Sequence, residues 1–148
     1  MTYFDTSALV KRFVQEKGSP VVHSLFKSAA GVATAKIAYA EIFAGLNRKL
    51  RERDLSKAQY SVACRQFEND WHAYVRVELQ DDILLLARDL IQRHPLKGFD
   101  AVHLGSALCL RAALGEEMSF AAADKNLLRA AQIEKFDTIN VETATAIK

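Results

Sequence analysis

The sequence predicts an α/β protein: a mostly parallel sheet of about five short strands covered on both faces by helices, a three-layer α/β/α sandwich. Two observations predict it. Short strand-like runs alternate with longer stretches whose apolar residues recur at helical spacing. Acidic residues stand directly after two of the strand-like runs, and in open parallel sheets that is where ligands bind.

The first strand candidate runs from Thr2 to Asp5 and the second from Val32 to Ala35. Both are too short for periodicity to decide and are read from their flanks. A helical pattern follows in Ile37, Ala40, Phe43, Ala44 and Leu50. The third strand, Tyr74 to Leu79, alternates through Val75, Val77 and Leu79. Ile83, Leu86, Ala87, Leu90 and Ile91 then form a helical stripe that stops before Pro95. A further stripe, Ala101, Leu104, Gly105, Leu108 and Ala112, ends at Gly115, a residue suited to a helix C-terminus. The fourth strand spans Ser119 to Ala123, a helix follows with Leu127, Leu128 and Ala131, and the fifth strand runs from Thr138 to Val141.

At 148 residues the chain fits one domain and can build its own core. A net charge of +2 argues against holding nucleic acid by bulk charge, although a local basic face remains open. The two cysteines, Cys64 and Cys109, lie far apart in helical patterns and read as small buried residues in a reducing compartment. The longest apolar runs, such as Ile83 to Ala87, are too short to span a bilayer, and no signal peptide precedes the first strand. The chain is expected to be soluble and cytoplasmic, with no membrane partner.

Asp5 follows the first strand in Tyr3-Phe4-Asp5-Thr6-Ser7, and Asp124 follows the fourth. If these strands are neighbours, the two carboxylates project into one crevice. Each has a plainer role open to it as a helix N-cap. Asp100, in Gly98-Phe99-Asp100-Ala101-Val102-His103-Leu104, could also be a cap, but His103 and Leu104 lie on a mainly buried surface and would turn it partly inward. Glu41 sits in an otherwise apolar stretch, Ile37 to Gly45, so it is either singly exposed or a buried acid in need of a partner. Gly45, one turn later, leaves room for an approaching group. Crowded carboxylates repel one another, and a hard divalent cation such as Mg²⁺ or Mn²⁺ removes that cost. Such ions can activate a water for phosphodiester hydrolysis. The histidines, His23, His72, His94 and His103, are scattered and offer no competing metal cluster.

Four segments, in order, resemble a PIN domain. They are Phe4-Asp5-Thr6-Ser7-Ala8-Leu9-Val10-Lys11, Ala40-Glu41-Ile42, Phe99-Asp100-Ala101-Val102-His103-Leu104 with Ala107, and Ala123-Asp124-Lys125-Asn126-Leu127. Together they cover nearly the whole chain and are most similar to VapC toxins of toxin–antitoxin pairs. The resemblance implies that the strands carrying Asp5 and Asp124 are adjacent. It also implies Mg²⁺- or Mn²⁺-dependent RNA cleavage, a homodimer and a cognate VapB-like antitoxin. By position, Asp5, Glu41, Asp100 and Asp124 carry over as the acidic quartet that binds metal and catalyses. Thr6 or Ser7 carries over as a hydroxyl that orients the site. One departure is Ala122, where the family often has a Thr.

Other readings are weaker. A receiver domain needs a pair of acids after the first strand, where Thr6 and Ser7 stand, and a phosphoacceptor Asp after a middle strand, which here ends in Leu79-Gln80. An Asp-x-Asp phosphatase fails at Ser7. A PIN-like scaffold that binds a partner without catalysis would have no reason to hold four carboxylates together. For RNA contact the strongest basic run is Asn47 to Arg53, with Arg48, Lys49 and Arg51 as candidates; Lys11 and Arg12 form a second set. As a plain solvated helix face the run needs no partner. Phe13 and Phe26 are read either as core or as part of an antitoxin groove.

Overall fold

The computed structural model describes residues 1–146. Five strands form one sheet: β1 (Thr2–Phe4), β2 (Val32–Ala35), β3 (Val75–Val77), β4 (Ser119–Ala122) and β5 (Asp137–Asn140). Their order is β3-β2-β1-β4-β5 and every pairing is parallel. Each predicted strand is present. The first and fourth stop one residue earlier than expected, and the third is shorter, because Leu79 is exposed beyond its last rung.

Seven helices connect the strands. They are α1 (Thr6–Leu9), α2 (Ser19–Ser28), α3 (Ala38–Arg51), α4 (Lys57–Trp71), α5 (Asp81–Arg93), α6 (Gly98–Leu114) and α7 (Lys125–Ile133). Right-handed crossovers dictate which face each one covers. The chain moves one way from β1 to β3, so α1 to α4 lie on one face. It then returns across β1 to β4 and β5, which puts α5, α6 and α7 on the other.

The side chains follow the pleat. Phe4 and Ala121 enter a core with Leu9, Ile42 and Phe67, whereas Tyr3, Phe120 and Ala122 enter a second core with Leu90, Leu104 and Leu127. This is the expected three-layer sandwich. Phe13 is buried in the first core and Phe26 packs against it, which settles their role as packing residues. Cys64 and Cys109 are free thiols and only half-buried.

The helical stripes hold for α5 to α7, with two exceptions, Ile91 and Ala112, both of which are exposed. In α5, Ile83, Ala87 and Leu90 are buried. In α3 the phase differs from the expected one. Its buried row is Ala38, Ile42 and Leu46, and Ala40 and Ala44 face outward. Every turn of that segment carries apolar residues, so composition alone left its rotation open. Gly115 closes α6 with φ +66°, a left-handed conformation that glycine adopts without a Cβ clash. Helix α4 begins in a capping box formed by Ser56 and Gln59. No helix among the described residues is long and apolar enough to cross a membrane.

Candidate active site

The sheet reverses its strand order between β1 and β4, and both strands point their carboxyl ends the same way. Pairing continues one step past β1, where the Asp5 N–H donates to Ala121 O at 3.2 Å. Asp5 and Asp124 therefore leave neighbouring strand ends into one crevice. From opposite layers, α3 brings Glu41 and the first turn of α6 brings Asp100.

Asp5 and Asp124 both cap helices. Asp5 accepts from Ala8 N at 3.0 Å and Asp124 from Leu127 N at 2.9 Å. The plain structural role thus coexists with the chemical one. Asp100 is no cap: Lys97 holds that position, and the Asp100 carboxylate is free of it. Ser7 Oγ lies 2.8 Å from each Asp5 oxygen and accepts from Ala123 N at 3.0 Å, so one hydroxyl ties the β1 acid to the end of β4.

Burial dominates the electrostatics. Asp5 is only 3 % exposed, and this desolvation pushes its carboxyl up to about 6. His103, Ser7 and the Ala8 N–H oppose the rise, and Asp100 adds to it. Asp100 is raised by burial and then by Asp124, with Glu41 contributing, against His103 and Lys97. Burial would raise Glu41 too, but hydrogen bonds from His103 and Thr6 and the field of His103 hold it below the usual range.

Glu41 is half-buried and has partners. Thr6 Oγ1 donates to its Oε1 at 2.8 Å, and His103 Nε2 lies 2.8 Å from the same oxygen. The other ring nitrogen of His103 is 2.8 Å from the Tyr3 hydroxyl. Sequence reasoning treated His103 as one of four scattered histidines and Tyr3 as a strand residue. A signal existed: His103 stands inside the wholly buried run from Ala101 to Ala107, where a polar ring needs partners.

Two grooves meet at Glu41 and Phe99. One, of about 630 Å³, runs past Thr6, Ser7, Arg48 and Arg51. The other, of about 880 Å³, is largely apolar and includes Leu84, Ile91, Asp100 and Val102. Phe99 between them is 62 % exposed. The basic candidates divide. Lys11 is buried, with its ammonium 3.1 Å from Glu16 and 3.0 Å from Glu142, and Lys49 is 2.9 Å from Glu16. Arg12 pairs with Asp70 and lies over the Phe26 ring. The structure thus turns Lys11, Lys49 and Arg12 toward internal partners. Arg48 and Arg51 have no carboxylate partner among the described residues and are exposed. Ala122 is buried in the second core, so no hydroxyl occupies the place of the family's Thr.

The donor set fits a hard dication. All its donors are oxygens, and Asp5 and Asp100 are destabilised as anions in the way a cation would relieve. No three His, Cys, Asp or Glu side chains among the described residues stand ready to cage an ion unaided.

The chain matches the PIN domain over residues 2–133. It is 36 % identical over 110 residues to ribonuclease VapC45 and to ribonuclease VapC49 of Mycobacterium tuberculosis strains, a span of 74 % of this chain and 76 % of each relative. Two solved structures share its fold with TM-scores of 0.67. One is a toxin–antitoxin complex from Klebsiella pneumoniae, 17 % identical, covering 95 % of this chain and 98 % of that one. The other is FitAcB from Neisseria gonorrhoeae, 13 % identical, covering 97 % and 100 %. The chain belongs to the PIN-domain family. Within that family it is of the VapC type.

Proposed function

We propose that this chain hydrolyses RNA phosphodiester bonds with Mg²⁺ or Mn²⁺, as the toxin of a VapBC-like pair. What supports the reading is that Asp5 and Asp124 leave neighbouring strand ends at the switch point between β1 and β4, with Glu41 and Asp100 brought from the flanking layers; Asp5 is raised by burial and by Asp100, and Asp100 by burial, Asp124 and Glu41. The curated relatives are ribonucleases by name, which supports the substrate. The Klebsiella neighbour is a toxin–antitoxin complex, which supports a VapB-like antitoxin as partner. A homodimer, a cytoplasmic location and a single PIN domain belong to the same proposal.

Asp5, Asp100, Asp124 and Glu41 would hold the ion, some of them through its retained waters. When bound, the metal lowers the pKa of a water and neutralises charge on the phosphate. The chain's own residues do the positioning. Ser7 and the Ala8 N–H fix Asp5, and Thr6 and His103 fix Glu41. Arg48 and Arg51 line the groove that reaches Glu41 and would take neighbouring phosphates.

The test is cleavage of RNA by the purified chain with Mg²⁺ or Mn²⁺ and with excess chelator. Cleavage is expected only with metal. Undiminished cleavage in chelator would sink the metal mechanism.

A further inference from the structure

Side chains from α1 and α6 meet on one oxygen of Glu41, and β1 joins them through His103. Tyr3 from β1 and His103 from α6 are buried, and Thr6 from α1 is half-buried. The hydrogens in this chain can be assigned by elimination. An ionised carboxylate accepts and does not donate, so the 2.8 Å contact between His103 Nε2 and Glu41 Oε1 requires a hydrogen on Nε2. Thr6 Oγ1, 3.1 Å from the same nitrogen, already donates to Oε1 and leaves the imidazole hydrogen to the nearer carboxylate oxygen. The wire as proposed takes the ring as neutral, with Nδ1 the acceptor and the Tyr3 O–H, 2.8 Å away, its donor; an imidazolium would instead donate from Nδ1 to that oxygen. Tyr3 also holds the ring edge-on at a centroid separation of 5.9 Å. Its hydroxyl therefore complements the tautomer that Glu41 requires and fixes the orientation of the ring.

We propose that His103, set by Tyr3, is a positioning residue for Glu41: together with Thr6 it occupies Oε1 and leaves Oε2 as the oxygen presented to the reacting groove. Oε2 has no hydrogen bond among the described residues, and Glu41 lines both grooves. The wire reaches Glu41 from the side of the second core, away from the basic groove, so substrate does not have to displace it. A carboxylate free to rotate would swap its oxygens and shift its reach. One pinned at Oε1 has a single working atom, and the conformational cost of aiming it falls at folding and not at each turnover. This inference rests on the nuclease reading for its consequence in turnover, but the hydrogen-bond wire stands apart from it.

Two measurements test it on the full chain. In metal-free protein labelled with ¹⁵N-histidine, the ring nitrogen shifts of His103 should report the Nε2–H tautomer, and Tyr3→Phe should move the Nδ1 resonance, which loses its hydrogen-bond donor, while the hydrogen stays on Nε2. In cleavage assays with Mg²⁺, Tyr3→Phe and His103→Leu should each lower kcat by roughly 10- to 100-fold with KM changed by less than about twofold. His103→Gln, which keeps an N–H donor near the place of Nε2, should recover part of what His103→Leu loses. An Nδ1–H tautomer in the wild type, or wild-type turnover in both Tyr3→Phe and His103→Leu, would overturn the proposal. If the wild type cleaves no RNA, the nuclease reading fails, and the tautomer and the Nδ1 shift change in Tyr3→Phe still decide the wire.

Discussion

Asp5 serves the fold and the chemistry with opposite electrostatic demands. As a cap it accepts the Ala8 N–H, and as a buried anion it is disfavoured, with its carboxyl pushed up to about 6. The folded state therefore binds this proton more tightly than the unfolded chain does. The corresponding stability is fully present below the ordinary aspartate value of 3.8 and is lost as pH rises through about 6. Asp5→Asn keeps the cap and removes the charge. In chelator at neutral pH the variant should melt above the wild type, by the equivalent of up to about 3 kcal/mol. The advantage should shrink to nothing near pH 4. Mg²⁺ should raise the wild-type melting temperature more than the variant's, and cleavage by the variant should fall by orders of magnitude. Thermal melts across pH, with and without Mg²⁺, check all of this; coincident curves at every pH would remove the strained-anion account. At this scale the acids were legible because strand ends and an apolar helix face mark them in sequence. His103 and Tyr3 were not, because their partners lie far along the chain and only the fold brings them together.

Among the elements, α3 combines two functions on two faces. Ala38, Ile42 and Leu46 anchor it in the first core, while Arg48 and Arg51 border the groove that ends at Glu41. Sequence alone marked the basic run but could not separate its members. Lys49 turns toward Glu16, and Lys11 is buried between Glu16 and Glu142, so these ammonium groups are met within the protein. Reversing Arg48 and Arg51 to Glu should weaken RNA binding and flatten its dependence on salt, by about one unit of slope per lost phosphate contact. Metal affinity should stay nearly intact. Titrations at several salt concentrations check this, and an unchanged slope would return α3 to a solvated face. The sheet was legible element by element, since apolar strands and flanking acids are local signals. The rotation of α3 was not, because apolar residues on every turn fit more than one phase. Helices α2 and α4 escaped individual description because their buried rows, such as Ala63, Phe67 and Trp71, are spread through polar sequence.

At the scale of the molecule, Leu84 and Ile91 on α5 and Phe99 at the start of α6 are exposed and line one apolar groove. The proposed homodimer has this face available, beside the acids, and a two-fold contact there would place two sites close together. Light scattering should give twice the chain mass at micromolar concentration. Leu84→Glu with Ile91→Glu should shift it toward the monomer without altering the fold seen by circular dichroism. A monomer in the wild type would contradict the proposal.

The reversal of strand order also sets a timetable. β1 pairs on one side with β2, about thirty residues on, and on the other with β4, whose partner residues are more than a hundred positions away: Thr2 meets Val32 and Ser119. A ribosome makes β4 last but one, so for most of synthesis one edge of the central strand has no neighbour and Asp124 does not yet exist. Contacts of such long range also close slowly when the finished chain refolds. The Asp5 amide, whose partner is Ala121 O, should accordingly be among the late-protected amides in pulsed hydrogen exchange. A growing or partly refolded chain thus carries half a crevice. Under the proposed function, cleavage can begin only when the last third of the chain docks, which leaves the interval of synthesis for the proposed antitoxin to be at hand.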